Sequence, residues 1–185
     1  MLEGNTTDLR LVGEDDLPLL SEWSKDADYL GNCVSLPQQS KTKWEKRYDS
    51  LPADTKWFFI ERKDGTKIGT MFYWLKGGLM EISCILHPDY RKKGYGTEAT
   101  QLMVDYLFLS TNITRIQADT NARNKTAQET LKRAGFKKEG TMRKYRFVRG
   151  VWTDYYLYSV LREEWKEPKI LSTCDQSSSI MRNLR

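Results

Sequence analysis

The chain has 185 residues, with 39% hydrophobic content and 30 Lys and Arg against 25 Asp and Glu, a formal charge of +5. That is the size of one domain, and ~150 residues suffice to bury roughly 70% of the unfolded surface, so a core is affordable and intrinsic disorder is not expected. No apolar run reaches the ~18–20 residues of a membrane span, Met1 to Leu11 lacks the apolar stretch of a signal peptide, and three widely spaced cysteines (Cys33, Cys84, Cys174) fit a reducing, cytoplasmic setting with neither a disulfide framework nor a metal site.

Residues 7–12 alternate in hydrophobicity and predict a short strand. Glu14-Asp15-Asp16 opens a helix over 17–29, its acids suited to the positive end of the helix dipole. Gly31 and Pro37 break the chain, and a second helix over 41–48 carries Trp44. Residues 57–61 and 67–75 read as a hairpin across Asp64-Gly65, because Asp-Gly between apolar runs is a strong turn signal. After Gly77-Gly78 comes a strand over 79–86, ended by His87-Pro88-Asp89. A helix running to about Leu109 repeats apolar residues at three- and four-residue spacing (Ala99, Leu102, Met103, Tyr106). A strand over 113–118, a helix over 125–134 closed by Gly135, and a long hairpin of 136–148 and 151–161 complete the pattern. This order predicts a mixed α/β (α+β) domain over residues 1–168, with a central sheet of six to seven strands and about four helices. Residues 169–185 lack periodicity and are expected to form a loose tail.

The positive charge is concentrated. Residues 91–93 carry +3 and residues 123–149 carry +8, while the remainder is net negative. Clusters of this kind attract polyanions such as a phosphorylated cofactor or nucleic acid. The first cluster stands in a strand–loop–helix context, Arg91-Lys92-Lys93-Gly94-Tyr95-Gly96-Thr97. Glycines between a strand and a helix let backbone N–H groups converge beside the helix N-terminus, which suits a pyrophosphate. The nucleotide-triphosphate loop pattern is absent, and the dinucleotide fingerprint belongs to a first βα unit rather than a fourth strand.

The Arg-x-x-Gly-x-Gly pattern after a strand resembles the acetyl-CoA pyrophosphate loop of the GNAT acetyltransferases. Asn121-Ala122-Arg123-Asn124-Lys125-Thr126-Ala127 followed by Gly135-Phe136 resembles the second half of that family's signature. Leu9-Arg10-Leu11, Glu14-Asp15-Asp16-Leu17 and Trp23, with the hairpin residues Glu139-Gly140, Arg143, Gly150, Asp154 and Tyr158-Ser159, are similar to the branch that acetylates ribosomal-protein N-termini. The resemblance covers about residues 8–166.

The resemblance implies a GNAT fold whose sheet is splayed at the cofactor strand, with acetyl-CoA as co-substrate. The pantetheine arm would pair with backbone at Ile85, Leu86 and His87. The loop Arg91, Lys92, Lys93, Gly94, Tyr95, Gly96 and Thr97 would hold the pyrophosphate, and Asn124 would contact the pantetheine or phosphate region while also capping the next helix. Direct attack by a neutral primary amine, from a protein N-terminus or a small molecule, needs proximity, an oxyanion donor and a proton acceptor. The Leu86 N–H is the expected donor and Glu81 the expected base, acting directly or through water. The family's frequent acid, a Tyr on the helix before Gly-Phe, is Leu131 here, so the thiolate would leave unaided or with another group such as Tyr145 or Tyr155 as acid. Two other readings stay open: a non-catalytic acyl-CoA-binding module, and a nucleic-acid-binding module on the 123–149 stretch, which no recognised reading motif accompanies. No membrane partner is implied, and the chain is expected to be a monomer or homodimer.

Overall fold

The computed structural model describes residues 1–34 and 40–171; Pro37 and Cys174 lie outside them. One sheet contains β1 (Leu2–Glu3), β2 (Thr7–Leu11), β3 (Lys56–Arg62), β4 (Lys67–Lys76), β5 (Leu79–Leu86), β6 (Arg115–Asn121), β7 (Lys137–Val148) and β8 (Val151–Leu161). Their spatial order is β1-β2-β3-β4-β5-β6-β8-β7. The helices are α1 (Leu17–Trp23), α2 (Ala27–Leu30), α3 (Lys41–Asp49), α4 (Tyr95–Ser110) and α5 (Lys125–Arg133). The sheet therefore has eight strands where six to seven were expected. The addition is β1, two residues paired at Leu2↔Leu9 and Glu3↔Asp8, too short to show a period. The fifth helix arises because the stretch over 17–29 divides. Asp26 accepts N–H bonds from Asp28 (2.7 Å) and Tyr29 (3.2 Å), and this cap restarts the helix as α2.

Alternation along β3 sends successive side chains to two layers. Phe58 and Ile60 join Met71, Ile116 and the α4 residues Leu102, Met103 and Leu107. Trp57 and Phe59 instead join Trp44, Leu17 and Leu20 beneath α1 and α3. The β-branched Thr97, Thr100 and Val104 are indifferent helix formers, but burying each large α4 side chain is worth ~1.5–3 kcal/mol, which outweighs propensity losses of a few tenths. Tertiary burial thus holds the helix whose N-terminus faces the glycine loop.

Among the described residues, each strand pairing is antiparallel except β5 with β6. That parallel pair has only the rungs Met80↔Ile116 and Glu81↔Gln117. Beyond them β5 stays with β4 as far as Gly69↔Leu86, and β6 stays with β8 as far as Asn121↔Tyr155. The two strands consequently diverge, and the sheet opens as a V between residues 82–86 and 118–121. Gly69 keeps β4 tight against the opening edge, since a Cβ there would lie 2.4 Å from Ile85 O. No helix among the described residues is long and apolar enough to cross a membrane.

Candidate active site at the splayed strands

The V ends at the basic loop. Gly94 has φ 92° and ψ −23°, the left-handed conformation that disfavours a side chain, and it forms the N-cap of α4. Nothing lies within 4 Å of where its Cβ would be, so the space above the loop is open. Lys92 also has positive φ (61°). The Thr97 and Glu98 amides fold back on Gly94 O at 3.0 and 3.2 Å. The Tyr95 and Gly96 amides belong to the opening turn, where an α-helix supplies no intrahelical acceptor. Gly96 is the point of closest packing: its Cβ would come 3.3 Å from Leu86 Cδ1 and 3.7 Å from Thr130 Cγ2. These features fit a phosphate group seated on Lys92 to Thr97.

On β5 the three backbone positions expected to pair with pantetheine divide. His87 donates to Ile68 O at 2.8 Å and its own carbonyl accepts from Tyr90 N at 3.0 Å. Hydrogen-bonded rungs alternate along an antiparallel pair, so Ile85 also faces β4 and Leu86 faces the V. Tyr29 Oη donates to Ile85 O at 3.4 Å. Leu86 O accepts from Arg91 Nε at 2.9 Å. The Leu86 N–H, the expected oxyanion donor, therefore points into the gap, whereas the His87 backbone is committed elsewhere. The Arg91 side chain is likewise committed, to backbone carbonyls.

Glu81 lies on the last rung before the V, 3% exposed. Its Oε2 accepts from Lys76 Nζ at 2.8 Å and Gln117 Nε2 at 2.9 Å. Two residues further along the same face of β6, Asp119 pairs with Arg146 Nη2 at 2.8 Å. Burial pushes the Asp119 carboxyl up, against the pull of Arg146. Tyr145 and Asp119 both act electrostatically on Lys76, so Glu81, Asp119 and Tyr145 share one polar patch. The Tyr145 ring is 39% exposed and sits 5.7 Å from that of Tyr155. Tyr155 donates its hydroxyl proton to Cys33 O at 3.0 Å, and burial raises its pKa. Leu131 is buried in the core. Asn124 caps α5, accepting from Ala127 N at 3.1 Å.

Sequence reasoning passed over Asp119 and Gln117. The available signal was their alternation, since Gln117, Asp119 and Asn121 occupy one face of β6. The sequence alone did not show that Arg146, distant in the chain, would cover that face.

Residues 7–137 match the family model described as an acetyltransferase (GNAT) domain. The chain belongs to the GNAT acetyltransferase family. It is 32% identical over 108 residues to an uncharacterized N-acetyltransferase, YnaD, of Bacillus subtilis, covering 57% of this chain and 64% of that protein. It is also 32% identical over 76 residues to the ribosomal protein uS5 alanine N-acetyltransferase of Escherichia coli, covering 41% and 39%. The matched segments thus span under two thirds of either relative. The fold is similar to that of a spermidine N-acetyltransferase from Vibrio cholerae solved in complex with CoA and spermine, at a TM-score of 0.80 and 19% identity, covering 88% of this chain and 99% of that one.

Proposed function

We propose that this GNAT domain is an acetyl-CoA-dependent N-acetyltransferase that works by direct transfer in a ternary complex. The observation that carries the reading is the V between β5 and β6 with the Gly94–Gly96 cradle at its mouth. Lys92 to Thr97 hold the pyrophosphate through backbone N–H groups and the N-terminus of α4. The pantetheine arm lies in the V, where an open strand edge accepts an extended chain. The Leu86 N–H donates to the oxygen that becomes negative during attack, and Glu81, five residues back on β5 where the strands last pair, takes the amine proton through water. Asn124 contributes a side-chain NH2 beside the cofactor while its oxygen caps α5.

The acceptor is a primary amine. One relative's name specifies an alanine N-terminus of ribosomal protein uS5, and the solved neighbour's specifies spermidine. A cytoplasmic protein, monomeric or homodimeric, meets both kinds of amine. The domain occupies residues 1–168 in this reading, with 169–171 docked on it.

Thermal unfolding with and without acetyl-CoA tests it. At a hundredfold excess over Kd, binding adds roughly 2.7 kcal/mol of stability. Gly94→Asp points a carboxylate into the open space above the loop, at a left-handed position that Asp tolerates better than most residues, and should abolish the shift while the ligand-free melting transition remains cooperative. An unmoved transition for the wild type at millimolar acetyl-CoA would sink the reading, and an undiminished shift in G94D would sink the loop assignment. Free-thiol release across a panel of amines then separates an enzyme from a binding module.

A further inference from the structure

Arg91 opens the basic run, yet its guanidinium turns away from the cradle. Nε donates to Leu86 O at 2.9 Å, and Nη2 donates to Asp28 O at 3.0 Å and Tyr29 O at 2.6 Å. The first acceptor is on β5 at the V. The other two lie in the final turn of α2, where carbonyls lack intrahelical donors and take a cation well.

A helix as short as α2, only Ala27–Leu30, does not hold itself in water. It is followed by Gly31 at φ 68°. Other donors fix the same segment from the hairpin side: Arg149 Nη2 bonds Gly31 O at 3.0 Å, and Tyr155 Oη bonds Cys33 O. Residues 26–33 are therefore clamped between the cofactor loop and the β7–β8 hairpin. They wall a cavity of about 430 Å³ whose other lining includes His87, Asp89 and Arg91.

We propose that Arg91 is a positioning residue rather than a phosphate ligand. It ties the cofactor loop to the wall formed by residues 28–33, so that cofactor binding orders the surface beside the V before an amine arrives. A guanidinium is suited to this because its planar fork reaches carbonyls on two elements at once, which an ammonium does not do. The coupling is reciprocal: a wall held in place in turn favours the loop geometry that the cofactor needs. The inference rests on the reading of residues 92–97 as the pyrophosphate cradle.

Hydrogen exchange resolved to peptides, on the wild type, R91M and R91K with and without CoA, tests both parts. Without ligand, both variants should exchange the 28–33 amides at least about tenfold faster than the wild type, because the local opening equilibrium shifts. With CoA, the wild type should gain protection there and the variants should not. CoA affinity by calorimetry should fall by the same factor of about three in R91M and R91K, since the coupling to the wall is lost in both while no phosphate contact is. A fall of more than about tenfold in R91M with retention in R91K would make Arg91 a charge partner of the phosphates and overturn the proposal. Unchanged exchange at 28–33 in the ligand-free variants would overturn it equally. Failure of the wild type to bind CoA would instead strike the cradle assignment, and the ligand-free comparison would still decide the brace.

Discussion

Cys84 occupies β5 two residues before the amide assigned to the oxyanion, a position that invites a covalent role. Its thiol is pushed up to about 12 by desolvation, so the nucleophilic thiolate is scarce at neutral pH. Part of its surface packs against the α4 side of the core, which is how a small apolar residue behaves. Intact-mass measurement after incubation with acetyl-CoA should accordingly show no acetyl adduct on the protein. Cys84→Ala should keep acetyl-CoA affinity within about twofold and lower stability by about 1 kcal/mol, in line with a small core truncation. An adduct lost in C84A would replace direct transfer with a two-step route. The same scale revises the basic stretch over 137–149. Lys137 pairs with Glu164, Arg146 with Asp119, and Arg149 with a backbone carbonyl. Three of its bases thus have partners within the fold, which weakens its claim as a polyanion footprint.

Elements are joined in this protein by a few buried carboxylates. Asp16, 7% exposed, receives Arg10 from β2 at 2.8 and 2.9 Å, Lys67 from β4 at 2.9 Å and the Gly13 amide at 2.9 Å. These donors, Arg10 first, hold its carboxyl well below the usual carboxylate range. Asp16→Asn leaves Lys67 without its carboxylate while Arg10 keeps Glu61 at 2.6 Å, so it should destabilise by about 1–3 kcal/mol at pH 7. The folded pKa is depressed, so this contribution is present above the unfolded value near ~4 and is lost as pH falls through the folded pKa. Urea unfolding of wild type and D16N should therefore show a gap at pH 7 that narrows below about pH 4; a gap that widens in acid would contradict it. The element scale also shows what the sequence could carry. The apolar runs and the Asp64-Gly65 turn between them marked β3 and β4 well, because both signals are local. The strand over 113–118 shifts to Arg115–Asn121 because β8 pairs along Asp119-Thr120-Asn121, polar residues that a hydrophobic pattern excludes. The glycine turn that opens α4 was legible because Gly94 takes a left-handed conformation and Gly96 packs closely on Leu86. The end of β5–β6 pairing was not, since it depends on each strand's other neighbour.

Across the whole molecule, the first and last of the described segments are brought to α4. At its first turn, Glu98 accepts from the Thr6 and Thr7 amides at 2.7 and 3.3 Å, which docks the β1–β2 turn on α4. Further along α4, Asp105 is 1% exposed and accepts from Trp165 Nε1 at 2.8 Å. It also accepts from the amides of Lys169 (2.8 Å), Ile170 (2.7 Å) and Leu171 (3.2 Å). Residues 169–171, expected to begin a loose tail, are thus anchored, with Ile170 and Leu171 packed on the core. Nothing in their own composition announces this, because the anchor is a single carboxylate more than sixty residues away. Hydrogen bonds to a charged acceptor contribute ~1.5–3 kcal/mol each and share one partner here, so they do not add fully. Asp105→Asn replaces one acceptor oxygen by an NH2 that faces donors, and should cost at least about 3 kcal/mol. It should also open the 165–171 segment to proteolysis before the rest of the fold gives way, because the lost bonds fix that segment locally. Limited proteolysis read by mass spectrometry, alongside thermal unfolding, checks both effects. Equal cleavage rates in D105N and wild type would show that apolar packing of Ile170 and Leu171, rather than Asp105, holds the segment against α4.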